Sequence, residues 1–413
     1  MTTFRTLPRV LRDRDTGLYL TGVVVSAFGT SSMWLASGVW VKDLTGSNGL
    51  ATLGVFALSA PLPAGPVLGT IADRVRRRPL LITVNALLAA LLLTLFAVSS
   101  PGRLWLLFAV LFLYGAAGVI HDAAESALVT TLVAPSLLGD FNGLRTTVTE
   151  GMKLVAPLTG AGLYATCGGP AVACLDAVTF VLTAGAYTLL RVREERPVRS
   201  GAAQRWQAVQ GLRYLWGHPV LRPLVRAAGA TMFLAALSSA TVYAVVDRLG
   251  HSPAFTGVLY AVQGGGSVTI GLVSGPALRW LGERRFAAAG VALTAVAVAA
   301  RAFPSDAVAL VSGATIGLGL PCALIAAFTA VQQRAPGPLL GRATATTSTL
   351  VFAPNALGLA IGAGLVELAH PGLLLPLYGL ALLLTAACLA HSTGRADCAS
   401  RTAARSPSDT NPT

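Results

Sequence analysis

The chain alternates long apolar runs with short polar turns from one end to the other. Twelve runs are long enough to cross the hydrocarbon core of a bilayer, which takes about 20 residues of helix. The first six fall at about 17–41, 49–70, 79–99, 103–124, 143–166 and 169–190. The second six fall at about 222–246, 254–277, 286–303, 306–330, 343–367 and 371–391. The polar faces that a soluble helix would show are missing. The pattern predicts an all-α membrane protein of twelve transmembrane helices. A polar segment, 191–221, predicts a cytoplasmic linker between two six-helix bundles, 1–190 and 222–392. Residues 393–413 are polar and poor in bulky apolar side chains, which predicts a disordered cytoplasmic tail.

The second half repeats the first. An arginine-dense turn, Gly69-Thr-Ile-Ala-Asp73-Arg74-Val-Arg76-Arg77-Arg78-Pro79, joins spans 2 and 3. A worn copy, Gly275 to Arg285, joins spans 8 and 9. Val41-Lys-Asp43-Leu-Thr-Gly46 after span 1 is echoed by Val246-Asp247-Arg-Leu-Gly250 after span 7. Ala156-Pro157 in span 5 is echoed by Ala353-Pro354 in span 11. Echoes at matching places imply a duplicated six-helix unit with its halves arranged in parallel.

Composition agrees. The chain is 54% hydrophobic and 11% charged, against about 25% charged in soluble domains. The net charge of +13 raises the possibility of nucleic acid, but its placement excludes that reading. Lysine occurs only at Lys42 and Lys153, and no aromatic residues interleave with the arginine clusters to form a stacking platform. With the N-terminus inside, 25 of the 30 Lys and Arg fall on the cytoplasmic side, 4 outside, and Lys153 within the membrane. This asymmetry places the protein in the cell inner (plasma) membrane, multi-pass, with both termini cytoplasmic. The five cysteines form no CxxC pair and read as small buried hydrophobes.

Gly69-x-x-x-Asp73-Arg74-x-x-Arg77-Arg78 resembles the signature of the major facilitator superfamily between helices 2 and 3, and the twelve spans and central linker fit that family over nearly the whole chain. Asp43-Leu-Thr-Gly-Ser47, Asp176-Ala-Val-Thr-Phe180 and Gly211 to Pro219 are similar to the bacterial exporter branch that contains macrolide efflux proteins and the enterobactin exporter. The family signature usually has Gly where this chain has Arg76. Many proton antiporters of the family carry an arginine four residues before a glycine of helix 4. Here that position, before Gly115, is Leu111, so that coupling role does not carry over.

Particular residues then gain candidate roles. A carboxylate in the basic turn can accept from the N-terminus of a facing helix, where the dipole favours negative charge. The resemblance makes that helix span 11, starting near Arg342. Gly69, Asp73, Arg74, Arg77 and Arg78 form a candidate cytoplasmic latch; topology alone is the competing reading of the arginines. Charges within the membrane need a partner or water. Glu150 and Lys153 share a face of span 5 and either line the cavity or pair to hold helices together. His121, Asp122 and Glu125 share one side of span 4 and read as a protonation site or as a solvated helix end. Asp176 reads as a buried structural aspartate. Gln263 and Asn355 add neutral hydrogen-bonding groups to the cavity, and Pro157 and Pro354 are candidate hinges. Gly264 to Gly266 lack a following Gly-Lys-Ser/Thr, so ATP hydrolysis is not expected. Nor is an enzyme, a cofactor or a metal site.

Apolar walls with scattered hydroxyls, Trp34, Ser238, Ser239 and Tyr243 among them, suit a large amphipathic or apolar ligand. The resulting expectation is a monomeric secondary transporter in the lipid bilayer. It would export a small organic molecule, such as a drug, antibiotic or siderophore, by proton antiport with alternating access. A proton-coupled importer of the same fold and a non-transporting membrane sensor are the alternatives.

Overall fold

A computed structural model describes residues 14–72, 75–98, 100–133, 138–191 and 203–403. Among them every regular element is helical. In lipid each backbone N–H and C=O must be satisfied within the segment, which leaves helices as the solution for these apolar runs.

The first half contains α1 (Arg14–Thr45), α2 (Asn48–Ser59), α3 (Gly65–Ala72), α4 (Arg77–Leu93), α5 (Leu104–Leu132), α6 (Leu138–Cys167) and α7 (Gly169–Leu189). A further helix, α8 (Ala203–Gly217), lies inside the expected linker. The second half contains α9 (Leu221–Ala240), α10 (Val242–Arg248), α11 (Thr256–Ala300), α12 (Asp306–Arg334), α13 (Gly337–Leu368) and α14 (Pro371–Ala403). Nine of the described helices are long and apolar enough to cross a membrane by themselves. The remaining spans are accounted for by α11, which is two rods, by the broken pair α2 and α3, and by α6, whose polar residues lower its hydropathy. We call the end where α1 starts the base and the end where it finishes the far end.

Three boundaries differ from the sequence reading. Span 2 is interrupted by a 3-10 turn at Leu62–Ala64, where Pro61 and Pro63 remove two backbone donors. Spans 8 and 9 run together as α11, which turns at Gly282 through φ 74°, a left-handed backbone that only glycine adopts without strain. The last helix continues to Ala403, past residue 392.

The duplication is visible in the backbone. Gly46 ends α1 with φ 70° and Gly250 follows α10 with φ 75°, so the two echoed turns share one conformation. The second half has an apolar core of its own, and the main core of the first half continues across the interface onto Val242, Tyr243, Val246, Leu259 and Ala309. Within the halves, helices touch backbone to backbone through glycines. A Cβ on Gly317 of α12 would stand 1.9 Å from the carbonyl oxygen of Gln263 in α11. Ser267 Oγ donates to Gly317 O (3.1 Å) beside it. Gly317→Ala should therefore destabilise by about 1–3 kcal/mol through overpacking. Gly271→Ala, which meets no atom within 4 Å, should be neutral or slightly stabilising. Thermal unfolding of both variants in detergent checks the contrast.

Both candidate hinges lie inside helices. Next to Pro157, Ala156 O accepts from Ser32 Oγ of α1 (3.0 Å). In α13, Pro354 cannot donate to Leu350 O, and Gly229 of α9 sits there, its absent Cβ leaving room 2.7 Å from that oxygen.

Candidate functional site

The two halves meet along α1, α2 and α6 on one side and α9, α10, α11 and α13 on the other. Their hydrogen bonds and ion pair lie toward the far end. Lys42, at the end of α1, is 9% exposed; its Nζ donates to Asp247 Oδ2 (2.6 Å) and to Gly46 O (2.9 Å). Glu367, at the end of α13, reaches the start of α2. Its Oε1 accepts from Ser47 Oγ (2.7 Å) and from Gly49 N (2.6 Å). Ser47 is the N-cap of α2, and its Oγ accepts from Leu50 N (3.0 Å). A carboxylate thus caps the N-terminus of a helix across the interface, where the dipole favours it. Gly49 permits the approach, since a Cβ there would lie 2.6 Å from Ala363 O. One turn deeper, Thr52 Oγ1 donates to Ala240 O (3.1 Å).

Below this seam lies a cavity lined by Trp34 and Leu35 of α1, Thr52 and Val55 of α2, Ser239 and Tyr243 of the second half, Tyr260 of α11 and Leu359 of α13. Trp34 and Tyr260 meet edge to face across it, centroids 5.1 Å apart. Toward the base no hydrogen bond or ion pair between described residues joins the halves. Gly118, Gly151, Gly271 and Gly341 meet no atom within 4 Å, and Val67 and Leu272 are 70% and 78% exposed.

The sequence-predicted residues distribute unevenly over this frame. Glu125 is buried at the base end of α5. It forms an ion pair with Arg145 of α6 and accepts from Tyr187 Oη of α7 (3.1 Å). His121, Asp122 and Glu125 bring their ligand atoms within 4.8 Å of one another. Arg145 on the carboxylate opposes a second cation there, and the chain's own guanidinium satisfies it. Asn355 Nδ2 donates to Met232 O (3.3 Å), which ties α13 to α9. Gln263 is half-buried in α11 and its carbonyl meets α12. Gly69 lies on α3. Arg77 opens α4, and Arg78 donates to Tyr187 O (2.9 Å) and Thr188 O (2.5 Å) at the end of α7, within its own half. Asp73 and Arg74 lie outside the described residues, as do the side chains of Glu150 and Lys153 on α6.

Sequence reasoning missed several participants. Glu367, Thr52 and Tyr260 carry no motif; only their pairing across the halves shows a role. Arg301, one of the four basic residues that the charge count leaves outside, is 7% exposed and donates from Nε to Ser312 Oγ (3.2 Å). It is not among the residues lining the cavity.

A family profile for the Major Facilitator Superfamily matches residues 19–391. The chain belongs to the major facilitator superfamily. Among curated relatives, the multidrug resistance protein MdtH of Salmonella typhi is 27% identical over 220 residues. That match spans 53% of this chain and about half, 51%, of the relative's length. Solved structures of the same fold include the peptide transporter POT in complex with alafosfalin, 17% identical with a TM-score of 0.71, covering 92% of this chain and 94% of that one. A bacterial homologue of the iron transporter ferroportin in an inward-facing state is 16% identical with a TM-score of 0.69, covering 93% and 99%. The nucleoside transporter NupG is 12% identical with a TM-score of 0.73, covering 92% and 100%. At these identities the likeness is one of fold. As a major facilitator the protein is a multi-pass membrane transporter rather than an enzyme, its twelve helices forming two pseudo-symmetric six-helix bundles around the cavity described above.

Proposed function

We propose that this major facilitator exports a small amphipathic or apolar organic molecule by proton antiport with alternating access. The observation that carries the reading is the aromatic and hydroxyl-bearing lining of the small cavity between the halves, which lies beneath the far-end seam. Indole and phenol rings supply large apolar area with a polar rim, which suits a lipophilic ligand better than a charged sugar phosphate. The partial likeness to a multidrug resistance protein supports export. With the arginine-rich base in the cytoplasm, the far end would face outside, and the seam that closes it would belong to the state that loads from within. The latch on Asp73 and the cavity role of Glu150 and Lys153 belong to the same proposal: Asp73 would close the cytoplasmic end in the opposite state, as Glu367 closes the far end in this one.

Cells with and without the gene, loaded with a panel of lipophilic dyes and antibiotics, test the reading. Expression should lower accumulation of at least one compound, and that compound should dissipate a preformed pH gradient in inverted vesicles. Raised accumulation on expression would favour import instead. Equal accumulation together with an unchanged pH gradient across the panel would refute transport of this class.

A further inference from the structure

Among the described residues of the first half, two carboxyl groups are buried in opposite surroundings. Glu125 has a guanidinium against it. Asp176 of α7 has none. It is 0% exposed, and among the described residues of α1, α4, α5, α6 and α7 no cation or second carboxylate faces it. Its neighbours are hydroxyls. Tyr114 Oη of α5 lies 2.8 Å from Oδ2, and Thr30 Oγ1 of α1 lies 3.2 Å from that same phenol oxygen. Thr179 Oγ1 lies 2.7 Å from the backbone oxygen of Asp176 and 3.1 Å from Oδ1. Gly29 of α1 closes the site; a Cβ there would stand 2.3 Å from Oδ1.

Counting donors shows how little supports the anion. Each hydroxyl has one to give. Thr179 gives its proton at the shorter contact, to the backbone oxygen. If Asp176 were ionised, Tyr114 would give its proton to Oδ2, leaving one full donor on a wholly buried anion. Burying a charge with so little compensation is the costliest arrangement available. If Asp176 is neutral, Oδ2–H donates to Tyr114 Oη, Tyr114 donates to Thr30 Oγ1, and no charge is buried.

This chain of hydroxyls also leads somewhere. Thr30 lies one turn before Trp34 on α1, and Trp34 lines the cavity between the halves. Thr30 itself is half-buried, not sealed. We infer that Asp176 is a proton-binding site which loads and unloads through Tyr114 and Thr30 to the central cavity. In loading, a cavity water passes a proton to Thr30 Oγ1, Thr30 passes its own to Tyr114 Oη, and Tyr114 passes its own to Asp176 Oδ2. Each hydroxyl ends with one proton, the carboxylate becomes a carboxyl, and one proton has left the cavity; unloading reverses every step. The inference rests on the transport reading for its purpose, since a transporter driven by protons needs a carboxyl that changes charge within reach of the substrate path.

Infrared spectra of the full-length purified protein test it without a substrate. At neutral pH the wild type should show the carbonyl stretch of a neutral carboxyl group, absent in Asp176→Asn. The band should convert reversibly to the carboxylate form as pH rises. Tyr114→Phe removes the donor that supports the anion, so the midpoint should move up by about one pH unit or more. Thr30→Val should slow the conversion after a pH jump while leaving the band in place. A band that persists in Asp176→Asn, no neutral band in the wild type, or a band that ignores pH, would overturn the inference. The last outcome is what a locked structural aspartate gives. Failure of the accumulation assay alone leaves these spectra unaffected, so the two readings fail separately.

Discussion

Removing the far-end seam should open that end. In Lys42→Ala combined with Glu367→Ala, the interface loses the Lys42–Asp247 ion pair and both hydrogen bonds that Glu367 accepts from the start of α2. Asp247 is 40% exposed and Glu367 lies at the surface, so solvent screens both contacts and each contributes only about 1 kcal/mol. Together, about 2 kcal/mol shifts a two-state balance by a factor of about 30. Thr52, 2% exposed beneath the seam, reports the shift. As Thr52→Cys in a background without the five native cysteines, it should react slowly with a membrane-impermeant maleimide from the far side. The double variant should raise that rate by at least tenfold. Gly49→Val should act in the same direction, because its side chain meets the backbone oxygen of Ala363 in α13 as well as the Glu367 side chain. An unchanged labelling rate in both would show that the apolar contacts around Val55, Ala236 and Leu359 hold the seam without the polar ones.

The second large effect concerns folding rather than gating. Arg145→Ala strands Glu125, which is 5% exposed, without its guanidinium, leaving the Tyr187 phenol as donor and His121 as a titratable neighbour. Stripping one partner from a buried ion pair costs about 3–5 kcal/mol, and the 27% exposure of Arg145 puts this case near the lower figure. Thermal unfolding in detergent should fall on the order of 5 °C. Arg145→Met together with Glu125→Met should recover most of that loss, because the penalty comes from the unpaired charge and not from missing attraction. A double variant as unstable as Arg145→Ala would mean that the pair itself, or its link through Tyr187 to α7, holds the base of the first half together.

Much of this protein was legible in the sequence. Apolar runs of bilayer length specify helices because lipid offers the backbone no other partner. The repeated Gly46 and Gly250 turns announced the duplication, since each needs a backbone that glycine adopts freely. Pro157 and Pro354 stand inside α6 and α13, which both run on through them. Even the chemistry of the seam was anticipated, though at Asp73: a carboxylate on the N-terminus of a helix from the other half. The structure displays that contact at the far end, made by Glu367, which no local pattern singles out. Only tertiary structure decided which charges are paired. Glu125 and Asp176 look alike in sequence, each an acid inside an apolar helix. What separates them is that α6 brings Arg145 to the first while α1 and α5 bring only hydroxyls to the second. A side chain's charge depends on neighbours far along the chain, and helix packing alone chooses those neighbours. Periodicity along the sequence fixes which face of a helix is apolar, but not which residue of another helix will stand against it.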